Sequence, residues 1–170
     1  MRWTSTQKIL LVAALVYAID QLSKWVVIRF LNYADQVVVI DGFFKLVHWG
    51  NTGAAFSLFR DNNGVLALVS LAALAVLLLT RRHFEIDRPL GQIATGLILA
   101  GILGNLTDRL RVRHVIDFLY FHLNQRGGGE IGFPAFNVAD SAICIGVGLL
   151  CILSFRGDGR RSGAGDEKPA

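Results

Sequence analysis

Residues 64–80 read Gly-Val-Leu-Ala-Leu-Val-Ser-Leu-Ala-Ala-Leu-Ala-Val-Leu-Leu-Leu-Thr and contain no charged side chain. A helix in the core of a soluble protein shows a polar stripe that recurs every 3.6 residues. Between Val65 and Leu79 the one polar side chain is Ser70. The run is close to the ~20 residues that cross a ~30 Å hydrocarbon layer. It therefore predicts a membrane-spanning helix.

Apolar runs of similar length occur at three more places in this 170-residue chain, which is 53% hydrophobic and 18% charged. Soluble domains carry roughly 25% charged residues. We predict an all-α membrane protein with four transmembrane helices, at about 9–31, 64–80, 90–107 and 138–155. Residues 1–155 then form a single integral-membrane domain, and the Gly-rich, charged residues 156–170 form a disordered cytoplasmic tail.

The N-terminal run has a second interpretation as a secretory signal peptide. Arg2 and Lys8 precede an apolar stretch, and Val16-Tyr-Ala18 is a possible cleavage site. The apolar character resumes at Trp25 and extends the run to spanning length. This favours a first helix that is retained.

The Lys and Arg residues orient the predicted helices, because cytoplasmic loops carry an excess of them. The side with both termini holds nine, and the opposite side holds seven. Both termini are therefore predicted inside, and the net charge of +4 reflects orientation rather than nucleic-acid binding. The nine are Arg2, Lys8, Arg81, Arg82, Arg88, Arg156, Arg160, Arg161 and Lys168; the seven are Arg29, Lys45, Arg60, Arg109, Arg111, Arg113 and Arg126.

Two long segments, 32–63 and 107–137, then lie on the outer side. The first contains two apolar runs that predict short β-strands, and aromatic residues suited to the membrane interface. We expect a small β-containing extracytoplasmic segment and an interfacial loop; a loop lying passively on the bilayer is the alternative. The runs are 37–40 and 43–49, and the aromatic residues are Trp49, Phe56 and Phe59.

Ionisable residues inside a predicted membrane helix are functional candidates, since each costs roughly 2.5–3.5 kcal/mol near the bilayer centre. Asp20 and Lys24 lie four residues apart in the first helix, so they share a face and can form an ion pair. Two interpretations stay open for this pair: it fixes the first helix against its neighbours, or it takes part directly in chemistry.

The third helix combines a close-packing pattern with a polar end. Gly96, Ala100 and Gly104 recur every four residues, which allows membrane helices to approach closely. Asn105 and Asp108-Arg109 follow where this helix leaves the membrane. A tightly packed helix thus delivers polar groups to the outer surface.

A second acidic pair is predicted at the same surface. Pro134 and Asn137 indicate a helix start with Asn137 as the N-cap, so that Asp140 is the third residue of the fourth helix. Asp117 lies among apolar neighbours on the same side. Two carboxyl groups in a small site share a proton because both cannot ionise, as in aspartic proteases. Taken alone, a residue such as Asp140 is usually a capping carboxylate, and the acidic pair gains weight from Asn51, Asn105 and Arg109 on the same side.

These motifs resemble, in the same order, those of the lipoprotein signal peptidase family (signal peptidase II of bacteria), over about residues 8–155. The sequence departs from the family pattern at Ala100, where members often have glycine, and at 125–130, where the link between the two aspartates is long. The matching motifs are Asp20-Gln-Leu-Ser-Lys24, Asn51-Thr-Gly53-Ala-Ala-Phe56, Gly104-Asn105-Leu-Thr-Asp108-Arg109, Val115-Ile-Asp117-Phe118 and Phe136-Asn137-Val-Ala-Asp140-Ser-Ala-Ile143.

The resemblance implies an intramembrane aspartic endopeptidase that removes the signal peptide from prolipoproteins, cutting just before a diacylglyceryl-modified cysteine. It implies Asp117 and Asp140 as the catalytic pair, with no metal or other cofactor. It also implies a monomer among membrane lipids, in the bacterial cytoplasmic (inner) membrane, with the active site on the outer face. Residues expected to bind substrate or support the site are Asp20, Lys24, Asn51, Gly53, Asn105, Arg109 and Asn137.

A small transporter or channel subunit is the competing hypothesis from another class. Asp20, Lys24, Asp108 and Asp140 would then form an ion or proton relay through the bundle. The sequence disfavours this hypothesis because its polar residues collect near one surface, whereas a relay needs groups along the full depth. An assembly or anchoring protein would leave the clustered motifs unexplained.

Overall fold

Four long helices and a four-stranded antiparallel sheet make up the computed structural model, which describes residues 3–53, 62–80, 86 and 88–162, the last seven by backbone alone. All four helices are long and apolar enough to cross a membrane. In chain order the elements are α1 (Ser5–Phe30), β1 (Gln36–Ile40), β2 (Phe44–Asn51), α2 (Asn63–Thr80), α3 (Pro89–Arg111), β3 (Val115–Asn124), β4 (Glu130–Gly132) and α4 (Val138–Ser162).

The four predicted spans are confirmed, with ends that differ from the prediction. α1 begins earlier because Thr4 and Gln7 form a capping box, in which each side chain accepts a hydrogen bond from the other residue's main-chain N–H. α3 continues to Arg111, and this places the predicted polar exit inside the helix. The backbone of 156–162 is helical, whereas the sequence predicted a disordered tail from residue 156.

α3 is the central helix of the bundle, and the other three helices pack around it. Its residues are buried along most of their length, whereas α1, α2 and α4 leave most of their apolar side chains exposed. Exposed apolar side chains such as Leu68, Leu79 and Ile145 suit contact with lipid, which is as apolar as they are. The fold thus keeps its polar contacts along α3.

Glycines set how closely the helices approach one another. A Cβ atom on Gly96 would lie 2.8 Å from the Val12 side chain of α1. A Cβ atom on Gly146 of α4 would lie 2.6 Å from Ile98 and 2.8 Å from the Ala94 carbonyl oxygen of α3. The close packing predicted for the third helix is therefore confirmed, and α4 contributes to it.

The sheet has the strand order β1-β2-β3-β4 and contacts α1 and α3. β1 and β2 match the two strands expected in the first outer segment, whereas β3 and β4 were not predicted. β3 is buried at four consecutive positions, Val115–Phe118, so it lacks the alternation by which half-buried strands are recognised. Trp49 lies on β2, where its ring is tilted by 53° against that of Tyr120 on β3, while Phe56 and Phe59 lie outside the described residues.

We expect Gly146→Ala to lower the free energy of unfolding by about 1–3 kcal/mol, because the added methyl group overpacks the α3–α4 contact. Thermal unfolding of the purified protein in detergent would measure this. Gly148→Ala is the matched control on the same helix, since a Cβ atom there meets nothing within 4 Å. Equal stability of the two variants would contradict the packing argument.

Candidate active site

Two carboxyl groups, one buried and one half-buried, meet where the helical bundle joins the sheet. Asp117 lies on β3 and is 2% exposed, and Asp140 lies in the first turn of α4. Between them stands the fully buried side chain of Asn137. Elements far apart in sequence therefore bring together the two aspartates that the sequence singled out.

Asn137 forms the predicted N-cap of α4. Its Oδ1 atom accepts a hydrogen bond from the main-chain N–H of Asp140 at 2.9 Å, and its own N–H donates to the Asp140 carboxylate at 3.2 Å. This reciprocal pair fixes the amide orientation, so Nδ2 faces the other way and donates to Asp117 Oδ1 at 2.8 Å. One side chain thus contacts both acidic residues, and the position of Asp140 as third residue of the helix is confirmed.

Asp117 accepts two amide hydrogen bonds. The second comes from Asn51 at the end of β2, whose Nδ2 atom lies 2.9 Å from Asp117 Oδ2. The Asn51 amide is itself oriented by the N–H of Gly53, which donates to its Oδ1 atom at 2.9 Å. Gly53 therefore supports the site through Asn51.

The surroundings of Asp117 raise its pKa to about 7. Burial is the largest cause, because it penalises the charged form, and the negative charge of Asp140 adds to it. Hydrogen bonds from Asn51 and Asn137 act in the opposite direction, since they favour the carboxylate. Asp117 is therefore protonated below about pH 7 and charged above it, so the pair can hold one proton near neutral pH.

Asp140 is held by Asn105 of α3, whose Nδ2 atom donates to Asp140 Oδ1 at 2.7 Å. The Oδ1 atom of Asn105 accepts from Asn137 Nδ2 and from Lys24 Nζ, each at 3.2 Å. Because an ammonium group can only donate, Lys24 keeps the Asn105 carbonyl on its side and turns the amide NH₂ toward Asp140. Both carboxyl groups of the pair thus receive amide donors.

The predicted Asp20–Lys24 ion pair is confirmed at 2.9 Å, and it is part of a larger buried cluster. Lys24 Nζ also lies 2.7 Å from Asp108 Oδ2 of α3. Asp20, Lys24 and Asp108 are all at most 4% exposed. Asp108 lies in one of the sequence motifs but was not expected among the site residues, because its partner Lys24 lies on another helix.

Arg109 makes fewer and longer hydrogen bonds than the other predicted site residues. Its Nη1 atom makes only long contacts, 3.5 Å to Ser70 Oγ and 3.4 Å to the Asn105 carbonyl oxygen, and its buried Nε atom has no hydrogen-bond partner. Asn63 at the start of α2 donates to the Arg109 carbonyl oxygen at 2.9 Å. Within the described part of the chain, no carboxylate lies within ion-pair distance of this guanidinium group.

The histidines lie apart from the acidic pair. His48 Nδ1 is 3.0 Å from the Leu31 carbonyl oxygen, His114 packs edge-on against Tyr33, and His122 lies 3.3 Å from Glu130. His83 lies outside the described residues. Over those described, no three His, Cys, Asp or Glu side chains are grouped as ligands for a metal ion.

Fold and site together define a protein with four helices apolar enough to span a membrane and two neighbouring carboxyl groups held by asparagine amides, the arrangement of an aspartic peptidase. A family model described as signal peptidase (SPase) II matches residues 12–156. The chain therefore belongs to the signal peptidase II family of aspartic peptidases.

Individual relatives agree with this assignment. A lipoprotein signal peptidase of Syntrophotalea carbinolica is 40% identical over 164 residues, which cover 95% of this chain and 98% of the relative. One of Nitratidesulfovibrio vulgaris is 43% identical over 151 residues, covering 85% and 87%. A solved structure described as a bacterial membrane enzyme superposes with a TM-score of 0.71 at 28% identity, covering 95% of this chain and 93% of that one.

We expect an infrared titration to detect a carboxyl group that loses its proton near pH 7, because the pKa of Asp117 is raised to about 7. Asn51→Ala removes a donor that favours the carboxylate, so the pKa of this group should rise further. Asp117→Asn serves as the control and should lack the titrating band. A titration of Asn51→Ala that coincides with that of the parent would show that Asn51 does not hold Asp117.

Proposed function

We propose that Asp117 and Asp140 are the catalytic pair with which this signal peptidase II removes the signal peptide from diacylglyceryl-modified prolipoproteins. The bond that is cut immediately precedes the lipidated cysteine. The observation that carries the proposal is Asn137, whose side chain donates to the Asp117 carboxyl group while its main-chain N–H donates to that of Asp140, so that one residue holds both carboxyl groups in one small site. Gln21 bridges Asp20 and Asp108 in a similar way, but those two acids also form ion pairs with Lys24, whereas Asp117 and Asp140 are held by amides.

The chemistry requires one proton on the pair. Asp140 at the positive end of α4 acts as the carboxylate and takes a proton from water, while the water oxygen bonds to the scissile carbonyl carbon. Protonated Asp117 gives its proton to the carbonyl oxygen. When the C–N bond breaks, Asp140 donates the proton it took to the departing cysteine amine, and Asp117 recovers a proton from the diol. The raised pKa of Asp117 supports this division of roles.

The remaining predicted residues divide by what they contact. Asn51 and Asn137 orient Asp117, Asn105 orients Asp140, and Gly53 orients Asn51. Among the described residues Arg109 donates to neither aspartate and its Nη1 atom makes only long contacts, so we assign its terminal N–H groups to the carbonyl oxygens of the bound signal peptide. A peptide that is extended for cleavage loses its internal hydrogen bonds, and in a membrane the enzyme has to replace them.

The depth of the site suits a lipid-anchored substrate. The acidic pair lies where α3 and α4 meet the sheet, at one end of the spans, and the acyl chains of a diacylglyceryl cysteine would hold the substrate at that level among the membrane lipids. With nine basic residues against seven, we propose cytoplasmic termini in the bacterial inner membrane and an active site on its outer face. The complete site lies within one chain, which is consistent with a monomer.

We expect Asp117→Asn and Asp140→Asn each to lower the rate of cleavage by on the order of 10³-fold, because each removes one proton-transfer group. The assay incubates the detergent-purified chain with a diacylglyceryl-modified prolipoprotein and follows release of the signal peptide. Asp41→Asn, an exposed carboxyl group between β1 and β2, is the matched control and should cleave like the parent. Cleavage by both site variants at the parental rate would contradict the assignment.

We expect Arg109→Lys to raise KM for the same substrate about tenfold without moving the pH profile, because lysine keeps the charge but loses the planar fork of N–H donors. Kinetics over a range of pH would separate the two effects. A displaced pH profile with an unchanged KM would instead mean that Arg109 acts on the aspartates.

A further inference from the structure

We propose that the buried cluster of Asp20, Lys24 and Asp108 sets the separation of the two catalytic carboxyl groups. Each acid of the cluster binds the main-chain N–H of the residue directly before one catalytic aspartate, and Lys24 joins the two acids. The proposal rests on the function proposed above and concerns how its site is held. It makes Asp108 a positioning residue for the reaction.

Asp20 controls the position of Asp140. Its Oδ1 atom accepts the N–H of Ala139 at 2.9 Å, and Ala139 is the second residue of α4. The first N–H groups of a helix have no partner within the helix, so a carboxylate from α1 satisfies one of them and is favoured by the helix dipole. Ala139 is completely buried, and Asp140 is the next residue.

Asp108 occupies the equivalent place beside Asp117. Its Oδ2 atom accepts the N–H of Ile116 at 3.3 Å, and Ile116 precedes Asp117 on β3. The Gln21 side chain connects the two acids a second time, since its Nε2 atom lies 3.1 Å from Asp20 Oδ2 and 3.2 Å from Asp108 Oδ1. Two backbone points, one on α4 and one on β3, are therefore tied to the same cluster.

Lys24 lies between Asp20 and Asp108, and its hydrogen-bond donors match the acceptors around it in number. Its ammonium group has three donors, and three acceptors surround it: Asp20 at 2.9 Å, Asp108 at 2.7 Å and Asn105 Oδ1 at 3.2 Å. The lysine therefore fixes the distance between the acids and, through Asn105, the amide that holds Asp140.

Gly104 leaves the room that the cluster needs. A Cβ atom at this position of α3 would lie 2.5 Å from Asp20 Oδ2 and 3.2 Å from the Ala139 side chain. An added methyl group would thus displace Asp20 from its place beside Ala139 without changing any charge. The substitution Gly104→Ala therefore perturbs the separation of the two catalytic carboxyl groups without altering a charge.

A cluster that only holds helices together would not need these particular backbone partners. Holding helices together and positioning the catalytic pair are two roles that a pH profile of the activity can distinguish. The separation between its acid and alkaline limbs reports how strongly the two catalytic carboxyl groups interact. If the cluster is loosened, Asp117 and Asp140 move apart and repel each other less. The acid and alkaline limbs of the pH profile then lie closer together. The charged groups around the pair are Asp20 and Lys24 on α1, Asp108 and Arg109 on α3, Asp117 on β3 and Asp140 on α4.

The test compares Gly104→Ala with Gly96→Ala in the full chain, using the prolipoprotein assay across pH together with thermal unfolding. Both variants place a methyl group in the α1–α3 contact, but only the first meets the cluster. We expect both to lose stability. Only Gly104→Ala should show a kcat about 10- to 100-fold lower, an unchanged KM and a narrower pH profile, because small displacements of reacting groups have effects of that size.

Asp108→Asn provides a second variant if Gly104→Ala does not fold. It keeps the side-chain volume but weakens the contact with Lys24, and we expect a narrower pH profile again. A folded variant of either kind with parental kcat and parental limb separation overturns the proposal. A different result would overturn the proposed function itself: in that case Asp117→Asn would cleave the prolipoprotein as well as the parent.

Discussion

The ammonium group of Lys24 lies almost out of contact with solvent between two carboxylates, 2.9 Å from Asp20 and 2.7 Å from Asp108. Removing one partner from a buried ion pair typically costs about 3–5 kcal/mol, because a charge is then left uncompensated. These three residues must therefore stay together, and they bring α1 and α3 with them. Since the same carboxylates bind N–H groups of α4 and β3, the cluster also joins the membrane bundle to the sheet.

Next to this charged cluster lies a group of neutral asparagine amides, and the two surroundings differ in what they offer to the four aspartates they hold. Asp20 and Asp108 contact the ammonium group of Lys24 directly. Asp117 and Asp140 contact Asn51, Asn105 and Asn137 instead. An amide orients a carboxyl group and donates to it without contributing a full charge, so the balance between burial and hydrogen bonding can hold the pKa of Asp117 near neutral pH.

The apolar spans themselves were predictable because chain length and composition decide them: any run without charges that is long enough will cross the bilayer. The same holds for contacts between near neighbours in sequence, such as the Asp20–Lys24 pair at i and i+4 and the Asn137 cap of α4. β3 could not be recognised, because its first four residues are all buried and show no alternation. The role of Asp108 could not be predicted either, since Lys24 and Ile116 reach it from α1 and β3.

By itself, the sequence determined that four helices cross a membrane and that a few polar residues, conspicuous in an apolar chain, collect on one side of it. The length of an apolar run and hydrogen bonds between near neighbours are properties of single elements, so both can be predicted from the sequence. Only the tertiary structure decided which amide holds which aspartate and that one lysine links the supports of both catalytic candidates. It also showed that Arg109 has no acidic partner among the described residues. Those contacts join residues up to 119 positions apart, and close helix packing at glycines such as Gly104 brings them into register.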